Sequence, residues 1–182
     1  MKKKILLTLL AITSVVLVAC SSTDGNDLSL KTVTDSGKIK PMQELSYDWK
    51  EIGIAGGTVS RQFAFKNDSE EDLILKGAET TCMCTNATIT LANGEESPSF
   101  GMAGHGGANP QWAYAVKPGE EFKVDVVFDP MAHGPEAVGP IQRSVFLVTS
   151  SVANGEYAKA DHRSGQVITE IKLQGNVVKN GI

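Results

Sequence analysis

Phe122, Val124, Val126 and Phe128 alternate with Lys123, Asp125 and Val127, the cleanest two-residue period in the chain. Alternation of this kind puts every second side chain on one face of an extended strand, so the segment must bury one face in a sheet. Shorter runs of the same type recur at 45–54, 58–66, 73–78, 86–91, 112–116, 142–149 and 166–178. Turn-forming stretches separate them, among them Asn67-Asp68-Ser69-Glu70-Glu71-Asp72 and Lys117-Pro118-Gly119-Glu120. No segment beyond residue 20 carries a helical period. The pattern predicts an all-β sandwich or barrel over residues 45–178.

Two segments break the strand pattern. Residues 92–111 hold Gly94, Pro98, Gly101, Gly104, Gly106, Gly107 and Pro110, and residues 129–140 hold Pro130, Gly134, Pro135, Gly139 and Pro140. A loop of about twenty residues is uncommon in a compact domain and is usually functional where it occurs. Each of the two carries one of the chain's three histidines, His105 and His133.

The N-terminus is an address. Lys2, Lys3 and Lys4 precede an uncharged apolar run from Ile5 to Val18, too short for a comfortable membrane span and suited to an export signal. It ends in Leu17-Val18-Ala19-Cys20, which resembles the lipobox of bacterial lipoproteins. That resemblance implies cleavage after residue 19 and lipidation of Cys20. An ordinary signal with a chance cysteine is the alternative. Residues 20–44 then read as a lipidated tether reaching about 25–30 Å. The domain is expected on the cell membrane or outer membrane, facing away from the cytoplasm. The full chain carries a formal charge of −4. Cleavage removes three of the 17 basic residues and none of the 21 acidic ones, leaving −7. A nucleic-acid partner is therefore not expected.

With Cys20 committed to lipid, Cys82 and Cys84 are the remaining thiols, and outside the cytoplasm such a pair tends to be oxidised or metal-bound. They lie in Thr81-Cys82-Met83-Cys84-Thr85. On a strand, positions i and i+2 share a face, with Cα atoms roughly 6.5–7 Å apart, at the outer limit for a disulfide. Two sulfurs held close but not easily bonded suit a soft metal ion. With His105 and His133 they would make a closed Cys2His2 site for copper(I) or zinc. Met83, Met102 and Met131 each neighbour a candidate ligand, and thioethers suit copper(I). Methionines also fill gaps, which is the preferred reading for Met83, expected to point opposite its cysteine neighbours. His162, in a polar connection, reads as solvated. No catalytic nucleophile motif or phosphate loop is present, so a non-enzymatic role is expected.

The order Phe63-Ala64-Phe65-Lys66-Asn67, then Cys82-Met83-Cys84-Thr85, Pro118-Gly119-Glu120, Asp129-Pro130 and Ile171-Lys172-Leu173-Gln174-Gly175 resembles the bacterial Hydin-like immunoglobulin domains. In that uncharacterised group a short Cys-x-Cys-Thr segment follows the third strand. The resemblance implies an immunoglobulin-like β-sandwich of about seven strands. The functional expectation is a membrane-anchored lipoprotein holding a soft metal. The alternatives are an adhesion or assembly module that binds a protein partner by strand addition, or a thiol–disulfide carrier.

Overall fold

A computed structural model describes residues 39–104, 109–151 and 166–179. These residues form nine strands and no helix. They are β1 (Ile39–Pro41), β2 (Ser46–Gly53), β3 (Val59–Asn67), β4 (Leu73–Thr80), β5 (Thr85–Thr90), β6 (Tyr114–Val116), β7 (Glu121–Phe128), β8 (Gly139–Ser151) and β9 (Gln166–Val178). One sheet has the order β1-β3-β7-β5 and the other β2-β9-β8-β4-β6. The fold is the expected immunoglobulin-like sandwich, with nine strands in place of about seven.

The strand that was not foreseen is short, which is why alternation could not announce it. β1 is three residues within the stretch read as tether, and it pairs antiparallel with β3 from Ile39↔Asn67 to Pro41↔Phe65. The other pairing not foreseen is β2 with β9, which runs parallel among otherwise antiparallel partners.

The core follows from the two-residue period. Phe122, Val124, Val126 and Phe128 of β7 are buried, as are Phe63 and Phe65 of β3 opposite them. Phe65 and Phe122 face each other in register and stack at 5.3 Å between centroids. The outer face of β7 is polar: Asp125 accepts from the Gln62 side chain at 2.7 Å and from the Thr90 hydroxyl at 2.9 Å. Leu75, Ile89, Val145, Leu147, Ile171 and Leu173 fill the space between the sheets. A smaller apolar cluster of Ile52, Ile54, Cys84, Phe128 and Val177 closes one end, with Trp49, Val59, Cys82, Ala137 and Ile141 packed against it.

At the end of β3, Asn67 ties the sheets together. It is fully buried. Its amide donates to the Glu71 and Val116 carbonyls, both at 2.9 Å, while its Oδ1 accepts from the Ser69 amide at 3.1 Å and hydroxyl at 2.7 Å. Truncation would strand a buried carbonyl of β6 and open the Asx turn. Asn67→Ala should cost about 3 kcal/mol, the desolvation penalty of orphaned buried groups added to the lost bonds. Urea denaturation measures this, and a loss below about 1 kcal/mol would show that the network does not hold the sheets.

Candidate metal and disulfide site

The strand β4 does not run on through the cysteines. It stops at Thr80, and residues 81–84 form a turn into β5. The Thr80 hydroxyl is placed to donate to the carbonyls of Cys82 (3.0 Å) and Thr85 (2.9 Å), and the Thr85 amide donates back to the Cys82 carbonyl at 3.1 Å. These bonds curl the backbone and draw the Cα atoms of Cys82 and Cys84 to 5.2 Å. That corrects the expectation of two sulfurs spread along a strand face. At this separation the side chains can bond, and the structure joins Cys82 to Cys84 as a disulfide.

Neighbouring elements fix the turn in place. Thr81 and Ser144 of β8 pair in both directions: the Thr81 amide donates to the Ser144 carbonyl at 3.1 Å, and the Ser144 amide donates to the Thr81 hydroxyl at 3.0 Å. The Asp129 amide donates to the Cys84 carbonyl at 2.8 Å, which starts the β7–β8 loop directly beside the cysteines. Asp129 Oδ1 then accepts from the Met131 amide at 2.8 Å, and the Gly134 amide, at φ +92°, closes on the Met131 carbonyl at 2.8 Å. This compact turn sets the exposed His133 beside the disulfide. His133 Nε2 lies 3.2 Å from Cys82 Sγ.

Cys82, Cys84 and His133 therefore present three ligand atoms within 4.8 Å of one another. His105, Cys20 and His162 lie outside the described residues. On the flanks of the His105 segment, Asn109 donates to the carbonyls of Gly101 (3.1 Å) and Ala78 (3.2 Å), and the Thr80 amide donates to the Gly101 carbonyl at 3.1 Å. Met83 and Met131 are exposed, at 54% and 41%. They stand on the two turns that carry Cys82 and His133.

Sequence reasoning missed Arg143. Its Nε–H donates to Cys84 Sγ at 3.1 Å, its Nη1 donates to the Gln142 carbonyl at 2.7 Å, and the guanidinium lies 5.7 Å from the Phe128 ring centre. Burial holds this guanidinium below its ordinary pKa. The signal was available in the alternation of β8. Val145, Leu147 and Thr149 face the core, and Arg143 is a charged residue in that same inward phase.

The two sulfurs have unlike surroundings. Cys84 is 1% exposed, set among Ile52, Ile54, Phe128 and Val177, while Cys82 is half-buried and faces the exposed His133. The fold and site together define an immunoglobulin-like sandwich with a Cys-x-Cys turn, a histidine and an arginine at one end. The model of a family described as "Protein of unknown function (DUF1573)" matches residues 41–97, about a third of the chain, a stretch that includes both cysteines. No curated protein matches the chain. Similar solved structures include the ASH/PapD-like domain of human CEP192, at 12% identity and TM-score 0.48, covering 79% of this chain and 87% of that one. The Vibrio cholerae VesB protease has 12% identity and TM-score 0.46, over 81% of this chain and 34% of the protease. A protein of unknown function from Porphyromonas gingivalis has 13% identity and TM-score 0.47, over 76% of this chain and 46% of that one.

Proposed function

We propose that this chain is a membrane-anchored, extracytoplasmic lipoprotein whose sandwich binds a soft transition metal when Cys82 and Cys84 are reduced. The observation that carries the reading is the convergence of Cys82, Cys84 and His133, with ligand atoms within 4.8 Å. Thiolates, not disulfide sulfurs, are the metal ligands, so loading follows reduction. Copper(I) is favoured over zinc. Two thiolates and one imidazole satisfy a soft ion that accepts three donors, whereas structural zinc takes four. Exposed Met83 and Met131 add thioethers close by, which also favours copper(I). Zinc becomes the better fit if His105 supplies a fourth donor. The role is binding and delivery of the ion and not catalysis. Lipid on Cys20 is the membrane anchor in this reading.

The test is elemental analysis of the mature chain, purified without chelator, in parallel under reducing and oxidising conditions. About one equivalent of copper or zinc in the reduced protein and none in the oxidised protein is the expected outcome. A reduced, folded chain that takes up neither metal would refute it.

A further inference from the structure

We infer that the Cys82–Cys84 disulfide exchanges with a reduced protein dithiol, the incoming thiolate entering at Cys82 and Cys84 leaving toward Arg143. This step rests on the metal reading only in supplying its ligands, since reduction is what frees the two thiolates. Its own support is the asymmetry of the pair. Cys82 is the half-buried sulfur, beside exposed His133, whereas Cys84 is 1% exposed within the apolar end cluster. A thiolate on a partner protein has access to the first and not to the second.

The electron count closes in two displacements. In the first, the partner thiolate bonds to Cys82 Sγ and the bond between Cys82 and Cys84 breaks. Its electron pair departs on Cys84 Sγ, where the Arg143 Nε–H already points from 3.1 Å. A cation hydrogen-bonded to the leaving sulfur stabilises the developing charge and speeds departure. In the second, the partner's other thiolate attacks its own sulfur in the mixed disulfide. The partner leaves as a disulfide, and Cys82 is released as a thiolate 3.2 Å from His133 Nε2. Two electrons move from the partner to the pair. Arg143 receives the leaving thiolate. Met83 and Met131, exposed on the two turns that carry Cys82 and His133, offer apolar surface to the partner.

The experiment uses the mature chain with Cys20→Ser, so that the pair holds the only sulfurs able to exchange. The oxidised protein is treated with glutathione, quenched with acid, and the adduct located by peptide mass mapping. Glutathione on Cys82 is expected, and an adduct on Cys84, or on both equally, would overturn the inference. Reduction by dithiothreitol is then followed in Arg143→Gln and Arg143→Lys, with unaltered circular dichroism as the check on folding. About a tenfold slower reduction in Arg143→Gln, partly restored in Arg143→Lys, is expected. A rate equal to the parent's in folded Arg143→Gln would remove Arg143 from the step. Elemental analysis keeps the two readings apart. Selective attack at Cys82 without metal uptake refutes the metal site alone, and metal uptake with unselective attack refutes the exchange alone.

Discussion

Cys84→Ser in the reduced mature chain should weaken copper(I) binding by about a hundredfold or more, measured by competition with a chelator of known affinity. Loss of a residue that merely orients a ligand costs about 10–100-fold, and loss of a thiolate ligand costs more. Position 84 makes the loss hard to compensate. The side chain is 1% exposed and belongs to the apolar cluster of Ile52, Ile54, Phe128 and Val177, which leaves a replacement donor little room to enter. Cys82→Ser should lose slightly less, because that sulfur is half-buried and Met83 lies on the same turn. His133→Ala should lose about tenfold. Its imidazole is exposed and contributes one neutral donor to an ion already held by two thiolates. The order of the three variants is the diagnostic. Equal small losses at all three would describe adventitious surface binding. A large loss at His133 with none at Cys84 would place the ion elsewhere. Thermal melts of each apoprotein guard against misreading a folding defect, since a serine hydroxyl at a buried site carries a desolvation cost of its own.

The strands that hold this site were legible where two-residue alternation meets a one-sided core. β7 and β3 are such cases: each residue that the period puts inward from Phe122 to Phe128 is buried, and Phe63 and Phe65 meet it in register. The cysteine turn was not legible. Thr81-Cys82-Met83-Cys84-Thr85 contains neither glycine nor proline, and β-branched threonines on both sides read as strand. What bends it is a side-chain interaction, the Thr80 hydroxyl against the Cys82 and Thr85 carbonyls. Local sequence preference does not encode that. His133 was legible as an anomaly, a histidine in a loop dense in glycine and proline. Its contact with Cys82 depends on a backbone bond between Asp129, just past the end of β7, and Cys84, just before β5. Arg143 was legible only as a charge in the inward phase of β8; its contact was not, because the partner sulfur lies 59 positions away in the sequence.

Gly77→Ala should be the most destabilising single-methyl addition in the domain, at about 4 kcal/mol, with a fall in Tm on the order of 10 °C. Two independent costs meet there. The backbone of Gly77 has φ +118°, a conformation that a side chain rarely tolerates. An added Cβ would also stand 2.6 Å from Cε1 and 2.8 Å from Cζ of Phe100. The ring cannot readily retreat. Phe100 is buried, its amide and carbonyl both bond to Ala87, and its ring meets Trp112 at 6.0 Å between centroids. Gly77 also sits where β4 slips by one residue against β8, between the pairings Leu75↔Thr149 and Gly77↔Val148. That slip sets the inward phase of Ala78 and Thr80, and so the position from which the cysteine turn departs. A double-mutant cycle with Phe100→Ala separates the two costs. If the clash dominates, the double variant loses clearly less than the sum of the single losses, because the ring that the methyl strikes is gone. If backbone strain dominates, the losses add. A loss below about 1 kcal/mol for Gly77→Ala alone would mean that β4 relaxes into a different register. The distance between Cys82 and His133 should then change as well, visible as altered metal affinity in a stably folded protein.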